Sequence, residues 1–141
     1  MAILAILVVV GIAFVMLGTG GVSLGGKLSA SDIAGVASNA GFSGSDLPVA
    51  VAVALAESGG NADAVGDQAL APANGPSVGL WQINTAKHKD YTPDQLHDPQ
   101  TNADAAYSVY RAAGDSFQPW STYNSGAYGG FLNQASDAVS A

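Results

Sequence analysis

From Val49 to Ala56 the chain reads VAVAVALA, without one polar side chain. A segment with no face to offer water belongs at the centre of a folded domain, so the rest of the chain must be arranged around it. Its larger apolar residues fall at positions 49, 51, 53 and 55, a period of two that ordinarily marks a strand. Two features favour a helix instead. Alanine fills every intervening position, which suits a helix buried on all sides. Ser45-Asp46-Leu47-Pro48, just before it, is a helix start with a capping residue and a proline in the first turn. The segment ends at Glu57, the only glutamate in the chain, followed by Ser58-Gly59-Gly60.

The chain has 141 residues and a formal net charge of −7. Subtracting an apolar N-terminal stretch leaves enough for one domain with one core. There are no cysteines, which excludes redox, zinc-finger and lipoprotein functions. Four Lys plus Arg stand against eleven Asp plus Glu, so no basic stripe exists to neutralise phosphates and nucleic acid is not an expected partner. Charged residues make up only 11% of the chain, a lightly charged surface that suits neutral polymers such as glycans.

Met1 to Leu17 carries no charged or strongly polar residue, and the uncharged stretch continues to Lys27. About 20 residues of helix cross the hydrocarbon core, so this segment is just long enough to span a bilayer. Residues 1–20 are therefore expected to be a transmembrane anchor. A cleaved signal peptide is the alternative, although no Lys or Arg precedes the apolar run and no small-x-small cleavage site stands out. A buried helix of the soluble core is the third reading. Residues 21–30, rich in Gly and Ser, read as a flexible linker. Lys27, the only nearby basic residue, would place the following domain in the cytoplasm by the positive-inside rule. A cell-wall target requires the domain to face outward, or the membrane to belong to something else, such as a virus particle.

Beyond the linker, Ser31-Asp32 offers an N-cap for a helix carrying Ile33, Val36, Ala37 and Ala40, with Gly41 as its stop. Ser58 to Ser77 reads as a long surface loop. Val78 to Asn84 (VGLWQIN) suits either an irregular strand or a helical turn. Asp98-Pro99 opens the clearest helix, with Ala103, Ala106, Tyr107 and Tyr110 on one face and Gly114 at its end. Trp120 to Gly126 is a structured loop or short helix, and Phe131, Leu132, Ala135, Ala138 and Val139 outline a last amphipathic helix. The domain is thus mainly helical, with at most a small sheet and no internal repeat.

Glu57 draws attention on chemical grounds. If the helix ends there, the carboxyl sits between an apolar wall and an open loop, and desolvation disfavours its charged form and keeps it available as a proton donor; the alternative is a surface glutamate near a helix end. Asp63 and Asp67, in the loop that follows, are the candidates for a second carboxylate, with Asp67 favoured slightly; in such loops Asp more often caps or turns the backbone. His88 and His97 have no second ligand at metal spacing, and Lys87-His88-Lys89 reads as a solvated turn. No metal and no cofactor are expected.

Ala56-Glu57-Ser58-Gly59-Gly60-Asn61 resembles the glutamate-serine motif of soluble lytic transglycosylases and goose-type lysozymes. Ser77-Val78-Gly79-Leu80-Trp81-Gln82-Ile83-Asn84 is similar to their glycine-leucine-aromatic/methionine-glutamine motif, and Thr122-Tyr123-Asn124-Ser125-Gly126 to their alanine-tyrosine-asparagine-x-glycine motif. Asp98-Pro99, Asn102-Ala103 and Tyr107 lie between them in the family's order. The resemblance runs from Ser31 to Phe131 and looks closest to lysozyme-like domains of phage tail and virion proteins.

It implies a lysozyme-like catalytic domain over residues 31–141 that cuts the β-1,4 bond between N-acetylmuramic acid and N-acetylglucosamine in peptidoglycan. In such enzymes one glutamate, here Glu57, protonates the glycosidic oxygen while the substrate's N-acetyl group stabilises the cationic centre. The same glutamate then acts as base toward the muramic acid 6-hydroxyl (lytic transglycosylase) or water (lysozyme), which departs from the two-carboxylate scheme. The resemblance also assigns substrate binding. Ser77 orients the muramic acid side or serves as a turn residue. Gln82 and Asn124 bond the sugar or satisfy backbone. Tyr123 holds the glutamate, polarises the acetamido group or packs in the core. Trp81, where methionine is more usual, stacks on a sugar ring or packs in the core. The expected setting is a membrane-anchored domain outside the cytoplasm, or a component of a virion or cell-envelope complex. A non-catalytic glycan-binding module on the same fold is the competing class.

Overall fold

The structure, a computed structural model, describes residues 26–67 and 73–141. The expected membrane segment, residues 1–20, lies outside the described residues. Among those described, no helix is long and apolar enough to cross a membrane. The fold is mainly helical, with six α-helices, one 3-10 helix and a small sheet among the described residues.

The N-cap of helix α1 (Ala30–Ala40) lies two residues earlier than expected. Ser29, not Ser31, is the N-cap, in a reciprocal box with Asp32 whose two hydrogen bonds measure 3.1 and 3.2 Å. The linker expected over residues 21–30 is also corrected at its C-terminal end. Leu28 is buried, its N–H donates to Gly60 O at 2.8 Å, and Lys27 bridges to Asn61, so this stretch is part of the domain. Gly41 ends α1 with a φ of 131°, and a Cβ there would meet the Tyr107 ring at 2.7 Å.

Helix α2 (Asp46–Ser58) contains the apolar segment, and every residue from Ala50 to Leu55 is buried. This explains why the two-residue alternation does not make a strand. A helix enclosed on all sides has no wet face, so the pattern of large and small residues sorts neighbours rather than solvent. Helix α1, the 3-10 helix (Ala127–Phe131), α5 (Ser121–Asn124) and α6 (Leu132–Ser140) all pack against α2, and its alanines let their backbones approach closely.

Three two-residue strands, β1 (Val65–Gly66), β2 (Ser77–Val78) and β3 (Ile83–Asn84), form an antiparallel sheet in chain order. Val78 pairs with both Val65 and Ile83, and Ser77 with both Gly66 and Asn84. The segment Val78–Asn84, open between strand and turn, is thus both: a strand end, a tight turn through Gly79, Leu80 and Trp81, then a second strand. A short helix α3 (Pro93–Leu96) follows, unanticipated although Thr92 and Gln95 form a capping box. Helix α4 (Pro99–Ala112) starts as expected, with the Asp98 carboxylate accepting from Thr101 N–H at 2.9 Å.

The turn between β2 and β3 is fixed from α4. Asn102 is wholly buried. Its Oδ1 accepts from Trp81 N–H at 2.8 Å, and its Nδ2 donates to Val78 O at 2.8 Å and Leu96 O at 2.9 Å. The side-chain amide therefore satisfies three backbone groups that would otherwise be stranded in the core. Gly79 makes the approach feasible: its φ is +81°, and a Cβ would lie 2.2 Å from Asn102 Nδ2.

Asn102→Leu should cost about 3 kcal/mol or more in chemical denaturation, because it leaves buried donors and acceptors unpaired. Asn39→Ala, removing an exposed amide whose one side-chain bond is long at 3.4 Å, should change the midpoint little; comparable losses in the two variants would contradict this account.

Candidate active site

Glu57 lies in the last turn of α2, which Gly59 closes in the left-handed conformation at φ 64°. Its carboxylate meets the first turn of α5. Glu57 Oε2 accepts from Thr122 Oγ1 at 2.8 Å, and the Thr122 backbone N–H also donates to it. No side-chain cap serves α5, so a glutamate from another helix satisfies one of its free N–H groups.

Opposing forces act on the Glu57 proton. Burial raises its pKa above the ordinary carboxylate value; the two Thr122 hydrogen bonds pull it down, and the nearby Asp67 charge pushes it up again. The net direction is upward. The helix dipole acts in the same sense, because α2 presents its negative end here.

Glu57 opens onto a cleft of about 680 Å³ that Asp67, Ser77, Gln82 and Asn84 also line. Of the two aspartates weighed as a second carboxylate, Asp67 lies in the cleft, whereas Asp63 binds Gly26 N–H at 2.8 Å, outside it. Asp67 has a φ of 58° and accepts from Ser77 Oγ at 2.6 Å. Ser77 in turn accepts from Asn84 Nδ2 at 3.3 Å. The Ser77 hydroxyl thus holds Asp67 in place while lining the cleft.

Gln82 also sits in the left-handed region, at φ 48°, which turns its amide back over the sheet. Its Nε2 donates to Gly79 O at 2.9 Å and Ala64 O at 3.1 Å. Both amide hydrogens are engaged, which leaves Oε1 as its hydrogen-bonding group for a ligand.

The remaining expected site residues lie elsewhere. Trp81 is corrected to a core residue: it is wholly buried, and its indole N–H donates to Ala50 O at 3.0 Å, so its ring does not stack on a sugar. Tyr123 is not part of the cleft lining; its ring packs between Phe117 and Tyr128, at centroid distances of 5.7 and 4.8 Å. Asn124 is exposed and donates to Gln118 O at 2.7 Å, closing its own loop. Thr122, one position before Tyr123, makes the contact to Glu57. Its hydroxyl was visible in the sequence, but its aim depends on where α5 begins.

Lys87 and His88, read as a solvated turn, line the cleft. Burial and the adjacent Lys87 lower the His88 pKa, with Asp90 opposing them. Among the described residues no three His, Asp or Glu side chains gather as a metal site.

A family model described as a lysozyme-like domain matches residues 34–122, the span that carries most of α1, all of α2, the sheet, α4 and the Glu57–Thr122 contact. No curated protein and no solved structure matches the chain.

The raised Glu57 pKa predicts a signature in stability. Its protonated form suits the fold better than its charged form, so its contribution is full below the unfolded value and is lost as pH rises through the folded one. Glu57→Gln should therefore gain stability relative to the wild type between acidic and neutral pH, read from denaturation midpoints across that range. Thr122→Val should move the Glu57 titration, followed by carboxyl-carbon NMR, further upward. A downward move would overturn the assigned role of the hydroxyl.

Proposed function

The chain belongs to the lysozyme-like domain family, and from that premise we propose that it cleaves peptidoglycan glycan strands at the β-1,4 bond between N-acetylmuramic acid and N-acetylglucosamine, as a lytic transglycosylase. The observation that carries this reading is Glu57 itself: a half-buried carboxyl, raised in pKa, facing an open cleft and fixed by Thr122.

In this mechanism protonated Glu57 donates to the glycosidic oxygen as the bond to the anomeric carbon breaks. The leaving sugar departs with its hydroxyl, and Glu57 is left ionised, stabilised by the two Thr122 donors. The substrate's N-acetyl oxygen supports the cationic centre. Glu57 then takes the proton of the muramic acid 6-hydroxyl as that oxygen closes on the anomeric carbon, giving a 1,6-anhydro end. Gln82 Oε1 is suited to accept from a sugar hydroxyl or acetamide N–H. The domain acts outside the cytoplasm, tethered by residues 1–20 or carried on a virion.

Asp67 favours one alternative. A second carboxylate lines the same cleft, held by Ser77; in this reading it would activate water and make the enzyme a hydrolase with two acidic groups.

Digestion of purified cell wall separates these readings by product mass. The transglycosylase yields anhydromuramic ends, loses about 10³-fold in rate on Glu57→Gln, and keeps most of its rate on Asp67→Asn. Reducing ends with a similar loss on Asp67→Asn establish the hydrolase, and an inert wild-type chain rejects both.

A further inference from the structure

We propose that Lys87 and His88 form a carboxylate subsite in the Glu57 cleft, reading the acidic groups that distinguish a muramic-acid strand from a neutral polysaccharide. This deepens the proposed function and rests on it.

Cations are scarce in this protein: four Lys plus Arg in 141 residues, at a net charge of −7. Arg111 is paired with Asp115 at 2.7 Å, and Lys27 lies at the Asn61 bridge. The other two, Lys87 and Lys89, flank His88 in one turn. Lys87 and His88 line the cleft that holds Glu57. Neither lysine has an ion pair among the described residues.

Asn84 holds this turn in place. Asn84 Oδ1 accepts from Ala86 N–H at 3.0 Å and Lys87 N–H at 3.2 Å, while Asn84 O accepts from His88 N–H at 2.9 Å. Asn84 Nδ2 donates to Asn74 O at 2.9 Å and to Ser77 Oγ at 3.3 Å. One side chain thus ties the cationic turn to the serine that holds Asp67, so the positive and negative sides of the cleft share an anchor.

An acidic strand entering beside Glu57 meets Asp67, which repels it. Lys87 offsets that repulsion and offers three donors. His88, its pKa lowered by burial, adds an imidazole that hydrogen-bonds in its neutral form. The chemistry recognised is a carboxylate. It has two sources on such a strand: the lactyl group of a bare muramic acid, or the peptide stem where that lactyl group is amidated.

Binding to the Glu57→Gln chain, which under the proposed function would hold glycan without turning it over, tests the assignment by calorimetry. The probes are a neutral N-acetylglucosamine oligomer, a bare muramic-acid glycan and a peptide-bearing glycan. With Lys87 intact, at least one carboxylate-bearing probe binds more tightly than the neutral oligomer. Lys87→Gln shrinks that preference about three- to fivefold at low salt, high salt abolishes it, and Lys87→Arg retains it. The probe that responds identifies the source. A preference that is absent, or unchanged by Lys87→Gln, overturns the subsite while leaving the proposed function standing. A wild-type chain that neither binds nor cuts any strand overturns both.

Discussion

The side-chain amide of Asn102 lies in the core, yet each of its polar atoms is matched by backbone from another part of the fold. In a low-dielectric interior an unmatched amide is costly and a fully matched one is rigid. Asn102 thereby fastens α4 to the turn between β2 and β3, and Leu96 O brings the end of α3 to the same point. Trp81 extends the connection. Its indole bonds Ala50 O in α2, and its own carbonyl accepts from Trp120 Nε1 at 2.8 Å. Trp120 is the residue from which α5 starts.

That series ends at the catalytic candidate. Thr122 reaches Glu57 only if α5 begins where it does, and α5 begins where Trp120 is held against Trp81. An aromatic cluster fills the space between: Phe42 contacts Trp81, Tyr107, Tyr110 and Phe117, and Phe117 contacts Trp120 and Tyr123. Tyr110 also bonds the Asp46 carboxylate at the start of α2, a contact that pushes the Tyr110 pKa up to about 12. Both ends of α2 are thus fixed by polar contacts, Asp46 to α4 and Glu57 to α5. The apolar length between them supplies burial.

What could be read in advance divides along physical lines. The helical class, α2 and α4 were legible because capping residues and all-round apolarity are local properties of the chain. Glu57 stands out in the sequence as a lone acid after an apolar helix and through the motifs around it, and the structure sets it half-buried at the edge of the cleft. Ser29 and Ser31 both have the chemistry of a cap, and only the burial of Leu28 with its bond to Gly60 O decides between them. Trp81, Tyr123 and Asn124 were open between sugar and structure, and distant partners decide each: Ala50, the Phe117–Tyr128 pair and Gln118. Lys87 and His88 read as solvated because a short charged run usually is. Their placement depends on Asn84 folding the turn back toward Ser77, a contact that leaves no periodic trace.

The conflict of forces on Glu57 then acquires a meaning. Burial alone favours the neutral carboxyl, which suits an acid but, in the proposed mechanism, hinders a group that must ionise when it gives up its proton and accept another later. A single residue filling both roles needs a pKa near the working pH, high enough to donate and low enough for the anion to persist. The Thr122 hydroxyl and N–H lower the value that burial and Asp67 raise. Both donors come from one residue on one short helix, so the balance is geometric and depends on the Trp120–Trp81 contact. Where a two-carboxylate enzyme divides acid and base between residues with different surroundings, the proposed mechanism would combine them in one side chain, with opposed influences acting on the same proton.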